Sequence, residues 1–103
     1  MRYVIITTAT NDKEEATKIA HGLVQNKLAA AVHIGQVESF YTWQNKLENA
    51  QEYTISAKTK KANFSKVENY IKANHHYILP EIAMIPIKYG SKEFINWISN
   101  NVV

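Results

Sequence analysis

The feature of this sequence that most constrains its fold is a pair of long strand-like segments joined by a short polar turn. Residues 30–42 and 46–59 alternate in side-chain character with the period of two that a β-strand requires. At about 3.3 Å per residue each strand would be roughly 40 Å long. A folded chain of 103 residues has a radius of gyration of only about 13 Å. The two strands are therefore predicted to form a β-hairpin that overhangs its own domain.

The tip of this hairpin carries aromatic residues that have nothing in their own domain to pack against. Phe40, Tyr41 and Trp43 all lie within residues 39–48. An overhanging apolar patch marks an interaction surface, and aromatic side chains are enriched in interface cores. We therefore predict an oligomer whose interface includes these three residues, in preference to a role for them in cofactor stacking.

The rest of the chain predicts the element order βαββαβα. Residues 3–8 are a β-branched apolar strand expected in the middle of the sheet. The first helix is expected to begin with a capping box of Asp12 and Glu15, and the last helix with Ser91 as its cap. A fourth strand is predicted over residues 82–87. The predicted core-facing stripes are Ala16, Ile19, Ala20, Leu23 and Val24 in the first helix, Phe64, Val67, Tyr70, Ile71 and Asn74 in the second, and Phe94, Trp97 and Ile98 in the third.

One irregularity in the second strand needs an explanation. Val32 and Ile34 share one parity of the alternation, whereas Val37 and Tyr41 share the other. A β-bulge at Gly35 would absorb the extra residue and keep all four side chains on one face. We therefore expect a bulge at Gly35.

These elements indicate a single α+β domain over residues 1–103, with the fold of a ferredoxin-like βαββαβ sandwich. An extra C-terminal helix and the long β2–β3 hairpin are added to it. Because unrelated activities use this fold, the fold alone does not identify a function.

Composition and charge exclude several functional classes. The chain has no cysteine, which excludes disulfides, thiolate metal sites and cysteine nucleophiles. Its N-terminal apolar run is too short for a signal peptide or a membrane span, so we expect a cytoplasmic protein without a membrane partner. The net charge is +3, but the lysines are spread along the chain among acidic residues.

An RNA-recognition domain is the main competitor for this element order. Its signature on the third strand requires glycine and a pair of aromatic residues. Residues 51–58 read QEYTISAK and contain neither. No nucleic-acid partner is therefore expected, and RNA binding is the less favoured alternative.

His75 and His76 are candidate metal ligands at the predicted end of the second helix. Copper and zinc accept imidazole ligands, and Glu81 could add an oxygen. Neighbouring side chains on a helix diverge by about 100°, so both histidines reach one ion only if the helix has already ended. The alternative is that the two histidines cap the helix or are simply solvated.

Four separated stretches of the sequence resemble segments of the CutA divalent-cation tolerance family. Residues 39–48, SFYTWQNKLE, resemble its S-x-Y-x-W-x-G-K-I/L-E signature. Residues 75–82, HHYILPEI, resemble its H-P-Y-x-x-P-E-I/L segment, and Lys58 with Thr59 resembles its K-T pair. Residues 28–32, LAAAV, look like its L-A-A-C-V strand. Asn45, Ala31 and His76 depart from the usual glycine, cysteine and proline.

The resemblance implies a homotrimer built like the PII-type signalling proteins and linked to copper or another divalent cation. It suggests a ligand cleft at a subunit junction that includes Lys58, Tyr77 and Glu81, for which a plain interchain salt bridge is the competing interpretation. We expect a metal-responsive binding or signalling module that is not an enzyme and needs no obligatory cofactor. A hydrolase-like enzyme using the same cleft is the alternative.

Overall fold

The strands and helices follow one another in the predicted βαββαβα order. The computed structural model describes residues 2–103. The strands are β1 (Tyr3–Thr10), β2 (Ala31–Trp43), β3 (Lys46–Lys60) and β4 (Ala83–Pro86), and the helices are α1 (Lys13–Gln25), α2 (Phe64–Asn74) and α3 (Lys92–Asn101). A single turn of 3-10 helix, Lys61–Asn63, leads into α2. Within residues 2–103 no helix combines the length and the apolar character needed to cross a bilayer.

The four strands form one antiparallel sheet in the order β2-β3-β1-β4, which is the ferredoxin-like arrangement. β1 lies in the middle, as predicted, and its Val4 and Ile6 are buried. β4 is an edge strand that ends at Pro86 and is shorter than the predicted 82–87. The N–H of Ile87 still donates to the Tyr3 carbonyl at 2.9 Å, so the N–H that Pro86 lacks belongs to the free edge of the strand, where proline is tolerated.

The core lies between one face of the sheet and the helices α1 and α2. Its members are aliphatic or small: Val4, Ile6, Ala16, Ile19, Leu23, Ala29, Ile55, Ala57, Val67 and Ile71. The stripe predicted for α2 is confirmed, but in α1 Val24 is exposed and Gly22 is buried in its place. A Cβ at Gly22 would overlap the Tyr70 ring, so glycine permits the close approach of the two helices there.

The predicted overhang of the hairpin is confirmed. β1 ends where Thr10 pairs with Tyr53, whereas the β2–β3 pairing continues from Val37 and Glu52 to Trp43 and Lys46. This outer part of the hairpin, residues 37–52, is called the ribbon below. The ribbon makes the molecule elongated, with extents of 44 × 25 × 22 Å and a radius of gyration of 14.1 Å.

The bulge expected at Gly35 is absent, because the register runs unbroken through the pair of Gly35 and Thr54. The apolar residues of β2 therefore change face along the strand. Ile34 shares the helix-covered face with its partner Ile55, and Val37 lies on the opposite, open face. The helices cover only the part of the sheet near Ile55. Farther out on that same face, Phe40 and Leu47 are exposed by 65% and 79%.

The third helix differs from its prediction in what it buries. Ser91 caps α3 as expected, because its Oγ accepts the N–H of Phe94 at 3.1 Å. Ile98 is buried, but Phe94 and Trp97 are partly exposed and stack on each other at 6.0 Å between ring centroids. The chain after α3 is tied to the domain at Val103, whose N–H donates to the carbonyl of Lys27. The first turns of the helix therefore reach past the core.

The hairpin turn offers a test of its geometry. Gln44 and Asn45 have φ values of 51° and 66°, as a two-residue type I′ turn requires. We expect Asn45→Gly to raise the free energy of unfolding by about 0.5–1 kcal/mol, and Asn45→Val to lower it by about 1–2 kcal/mol, because only the β-branched side chain opposes a positive φ. Chemical denaturation at one fixed protein concentration measures both changes. Lys46→Gly, at an extended position, should be destabilising, and an Asn45→Val variant as stable as wild type would contradict the assigned turn.

Candidate metal site at the root of the ribbon

The first turn of α1 and the segment after α2 meet at the end of the sheet from which the ribbon projects. α1 leaves this end after β1, and α2 returns to it after β3. Two contacts join the three segments: His75 Nε2 lies 2.7 Å from the carbonyl oxygen of Ala9, and the His76 N–H donates to Glu15 Oε1 at 3.1 Å. The topology therefore places both histidines beside the start of α1.

Glu15 does not complete the capping box that the sequence predicted. Asp12 caps α1 by accepting the N–H groups of Glu14 and Glu15 at 2.9 and 3.3 Å, but its own N–H donates to Thr10 Oγ1. The Glu15 carboxylate instead accepts the Thr10 hydroxyl at 2.7 Å and the two donors of His76. Because these tertiary donors occupy the carboxylate, it does not reach back to Asp12.

His75 satisfies the condition set for a shared ion, since the helix ends at Asn74 and His75 is extended, with φ −108° and ψ 134°. Its side chain is fully buried. The Ala9 carbonyl can only accept and the Tyr77 N–H can only donate, which makes Nε2 the protonated nitrogen and Nδ1 the acceptor from Tyr77 at 3.2 Å. Both hydrogen bonds are thus satisfied by a neutral imidazole, the form that binds metals.

Glu15, His75 and His76 bring together three potential ligand atoms. Glu15 Oε2 lies 2.9 Å from His76 Nδ1 and 3.5 Å from His75 Nδ1, and one ligand atom from each residue lies within 4.8 Å of the others. Ligands bound at about 2.0–2.1 Å around a tetrahedral zinc ion are about 3.3 Å apart. The three potential ligand atoms therefore lie close to the spacing that a divalent cation requires.

The environment of Glu15 favours its ionised form. Burial by itself raises the pKa of Glu15, but the hydrogen bonds from Thr10 and His76 and the electrostatic effect of the neighbouring imidazoles of His76 and His75 outweigh burial. The net pKa lies below its ordinary value of 4.5. A carboxylate is thus available beside the histidines at neutral pH.

Tyr77 connects this cluster to the ribbon. Its hydroxyl donates to Glu52 Oε2 at 2.6 Å, and Glu52 is buried although it lies in the first residue pair of the ribbon. Burial raises the pKa of Tyr77, and the hydrogen bond to Glu52 and its negative charge raise it further. The rings of His75 and His76 contact the phenol ring at centroid distances of 4.7 and 4.8 Å. Tyr77 is therefore a neutral donor held between the imidazoles and the ribbon.

The other predicted residues are not brought to this cluster within one chain. Lys58 donates its Nζ proton to His33 Nδ1 at 3.0 Å, six residues along β3 from Glu52 and so about 20 Å away. Glu81 is exposed, and among residues 2–103 it is Glu15 that supplies the oxygen beside the histidines. Within one chain, the carboxylate beside the two histidines is therefore that of Glu15, where the sequence had suggested Glu81. The cleft of Lys58, Tyr77 and Glu81 between subunits stays a prediction.

The sequence reasoning missed Glu15 and the pairing of Glu52 with Tyr77. The predicted βαββαβ order already contained the signal for Glu15, because it places the start of α1 and the end of α2 at the same end of the sheet. The Tyr77–Glu52 bond depends on the path of the chain after α2, for which the sequence has no periodic pattern.

Comparison with known proteins identifies the family to which the chain belongs. The family model described as CutA1 divalent ion tolerance protein matches residues 4–101. The chain belongs to the CutA1 family. A member of the CutA1 family named divalent-cation tolerance protein CutA, from Archaeoglobus fulgidus, is 44% identical over 89 residues, which are 86% of this chain and 87% of that protein.

A solved structure and a longer relative extend the comparison. The structure of the periplasmic divalent cation tolerance protein CutA from Archaeoglobus fulgidus superposes with a TM-score of 0.95 at 40% identity, covering 98% of this chain and 99% of that one. The chloroplastic protein CutA of Arabidopsis thaliana is 31% identical over 99 residues, which are 95% of this chain. The chain spans only 54% of that plant relative. The α+β fold with a four-stranded antiparallel sheet is thus that of solved CutA1-family structures.

The depressed pKa of Glu15 predicts a pH-dependent contribution to stability. A carboxylate whose pKa is lower in the folded state stabilises the protein at pH values above its ordinary pKa of 4.5. This stabilisation is lost as the pH falls through the lower pKa of the folded state. Glu15→Gln should lower the free energy of unfolding at pH 7 by about 1–3 kcal/mol, and the deficit should shrink as the pH falls below 4.5. Denaturation curves from pH 7 to pH 3 with a metal chelator present measure this. Glu14→Gln, an exposed residue of the same helical turn, is the matched control, and a deficit that stays constant over the whole range would contradict the assignment.

Proposed function

We propose that this chain is a metal-responsive binding module that captures a divalent cation at Glu15, His75 and His76 without catalytic turnover. The observation that carries the proposal is the convergence of two imidazoles and one ionised carboxylate at the root of the ribbon. Membership of a family named for divalent ion tolerance supports it.

The donor set indicates which cations the site takes. Two nitrogen donors and one oxygen donor suit zinc(II) and copper(II), whereas magnesium and calcium prefer oxygen ligands alone. The Nε2–H of His75 donates to the Ala9 carbonyl, which is the orienting bond that metal-binding histidines usually make. The half-exposed His76 gives the ion a path from solvent. Such a site captures an ion and leaves a coordination position for water.

We further propose that the module acts as a homotrimer. The exposed tip residues Phe40 and Tyr41 support this assembly, because an unassembled ribbon would leave them in water. In the trimer, Lys58, Tyr77 and Glu81 would meet at a subunit junction and form the ligand cleft that the family resemblance suggests. The metal site itself lies within one chain.

Calorimetric titration tests the metal site. Zinc(II) and copper(II) should bind the wild-type chain at one site per subunit, and His76→Ala or Glu15→Gln should weaken binding by at least tenfold, because each removes one of three ligands. His21→Ala, on the exposed side of α1, is the control and should leave the affinity unchanged. Equal affinity of wild type and His76→Ala would remove this cluster from the proposed function.

Light scattering tests the assembly. Trp43→Ala should shift the chain toward smaller species and lower the melting temperature, since truncation of an interface aromatic typically costs about 2 kcal/mol or more per contact. Tyr89→Ala, which removes an aromatic exposed by 86% outside the ribbon, is the matched control. A Trp43→Ala variant with the trimeric mass and the melting temperature of wild type would refute the role given to the ribbon tip.

A further inference from the structure

One nitrogen atom, Nδ1 of His75, is required by two different interactions. The opposite nitrogen, Nε2, donates to the Ala9 carbonyl inside the domain and is not free for an ion. Nδ1 faces Glu15 Oε2 at 3.5 Å and is the atom that His75 can offer to a cation. In this structure its lone pair accepts the N–H of Tyr77 at 3.2 Å. Since Nδ1 has a single lone pair, an ion can bind there only if the Tyr77 N–H moves away.

Tyr77 is fixed at its other end by the ribbon. Its hydroxyl donates to the Glu52 carboxylate at 2.6 Å, and its ring contacts both imidazoles. Glu52 pairs with Val37 in the first residue pair beyond the end of β1, where the ribbon loses the support of the central strand. Movement of the Tyr77 backbone therefore acts on a hydrogen bond at the root of the ribbon.

We infer that cation binding at His75 and the docking of Tyr77 on Glu52 compete with each other. Tyr77 is a positioning residue. When it is docked, its N–H occupies Nδ1 of His75 and its hydroxyl holds the root of the ribbon. When an ion displaces it, both Nδ1 and the ribbon root are released. This coupling rests on the proposed metal function and describes its regulation. The energetic link is reciprocal, so that whatever loosens the docked tyrosine strengthens metal binding and metal binding loosens the ribbon root.

The direction in which zinc affinity changes on substitution of Tyr77 distinguishes this coupling from a purely structural role of Tyr77. Tyr77→Phe keeps the ring, the N–H and the packing but loses the hydrogen bond that holds the docked state. A plain loss of structure would weaken zinc binding, whereas release from competition strengthens it. A hydrogen bond to a charged group stabilises the docked form enough for a gain of about fivefold or more. Glu52→Gln, which weakens the same bond from the ribbon side, should change the affinity in the same direction.

The test is a zinc(II) titration of the full-length wild type, Tyr77→Phe, Glu52→Gln and the control Tyr89→Phe, whose side chain is exposed elsewhere. Amide hydrogen exchange at Val37 and Glu52 is followed with and without zinc. We expect tighter binding in the first two variants, no change in the control, and zinc-accelerated exchange in wild type that is lost in Tyr77→Phe. Zinc affinity that is equal or weaker in Tyr77→Phe, or exchange that zinc leaves unchanged in wild type, would overturn the coupling while the metal site stands. Failure of wild type to bind zinc would overturn both the coupling and the proposed function.

Discussion

The structure depends on the early end of its central strand. β1 stops at Thr10 because the chain must turn at Asp12 to begin α1, while the neighbouring hairpin continues well past that level. From this point outward, no third strand formed by residues 2–103 pairs with the hairpin. A two-stranded ribbon is marginal in water, so its root needs another partner. The Tyr77 hydroxyl on Glu52 meets this need from the segment that follows α2.

The same chain reversal creates the polar cluster. Hydrogen-bond donors lie at the end of β1, in the first turn of α1 and after the end of α2. A single carboxylate, that of Glu15, accepts several of them. Glu15 accepts from Thr10 and His76 and faces His75, so its burial is compensated by hydrogen bonding. A buried carboxylate held this way is satisfied without an ion. Under the proposed function, a cation would replace some of these hydrogen-bond donors, and the site would exchange between an occupied and an unoccupied state.

Repetition along the chain explains which features could be predicted. The element order, the stripe of α2 and the length of the hairpin follow from local periods, and the structure confirms them. Contacts between segments distant in sequence carry no such period. Glu15 was assigned to its own helix cap because the tertiary donors of Thr10 and His76 are invisible to a local rule. Phe94 and Trp97 were placed in the core on spacing alone, although the interior reaches only Ile98. His75 and His76 were identified by residue type, and their geometry required the end of α2 at Asn74.

The unbroken register at Gly35 has a consequence for symmetry. Without a bulge, the ribbon presents Phe40 and Leu47 on one face and Val37 and Tyr41 on the other, so both faces carry exposed apolar side chains. In a twofold dimer, a single neighbouring subunit that covers one face of the ribbon leaves the other face exposed to water. A ribbon with apolar side chains on both faces is covered more completely when it lies between two neighbouring subunits, as in the proposed closed ring of three. The unbroken strand thus leaves apolar surface on both faces of the ribbon for partner chains to cover.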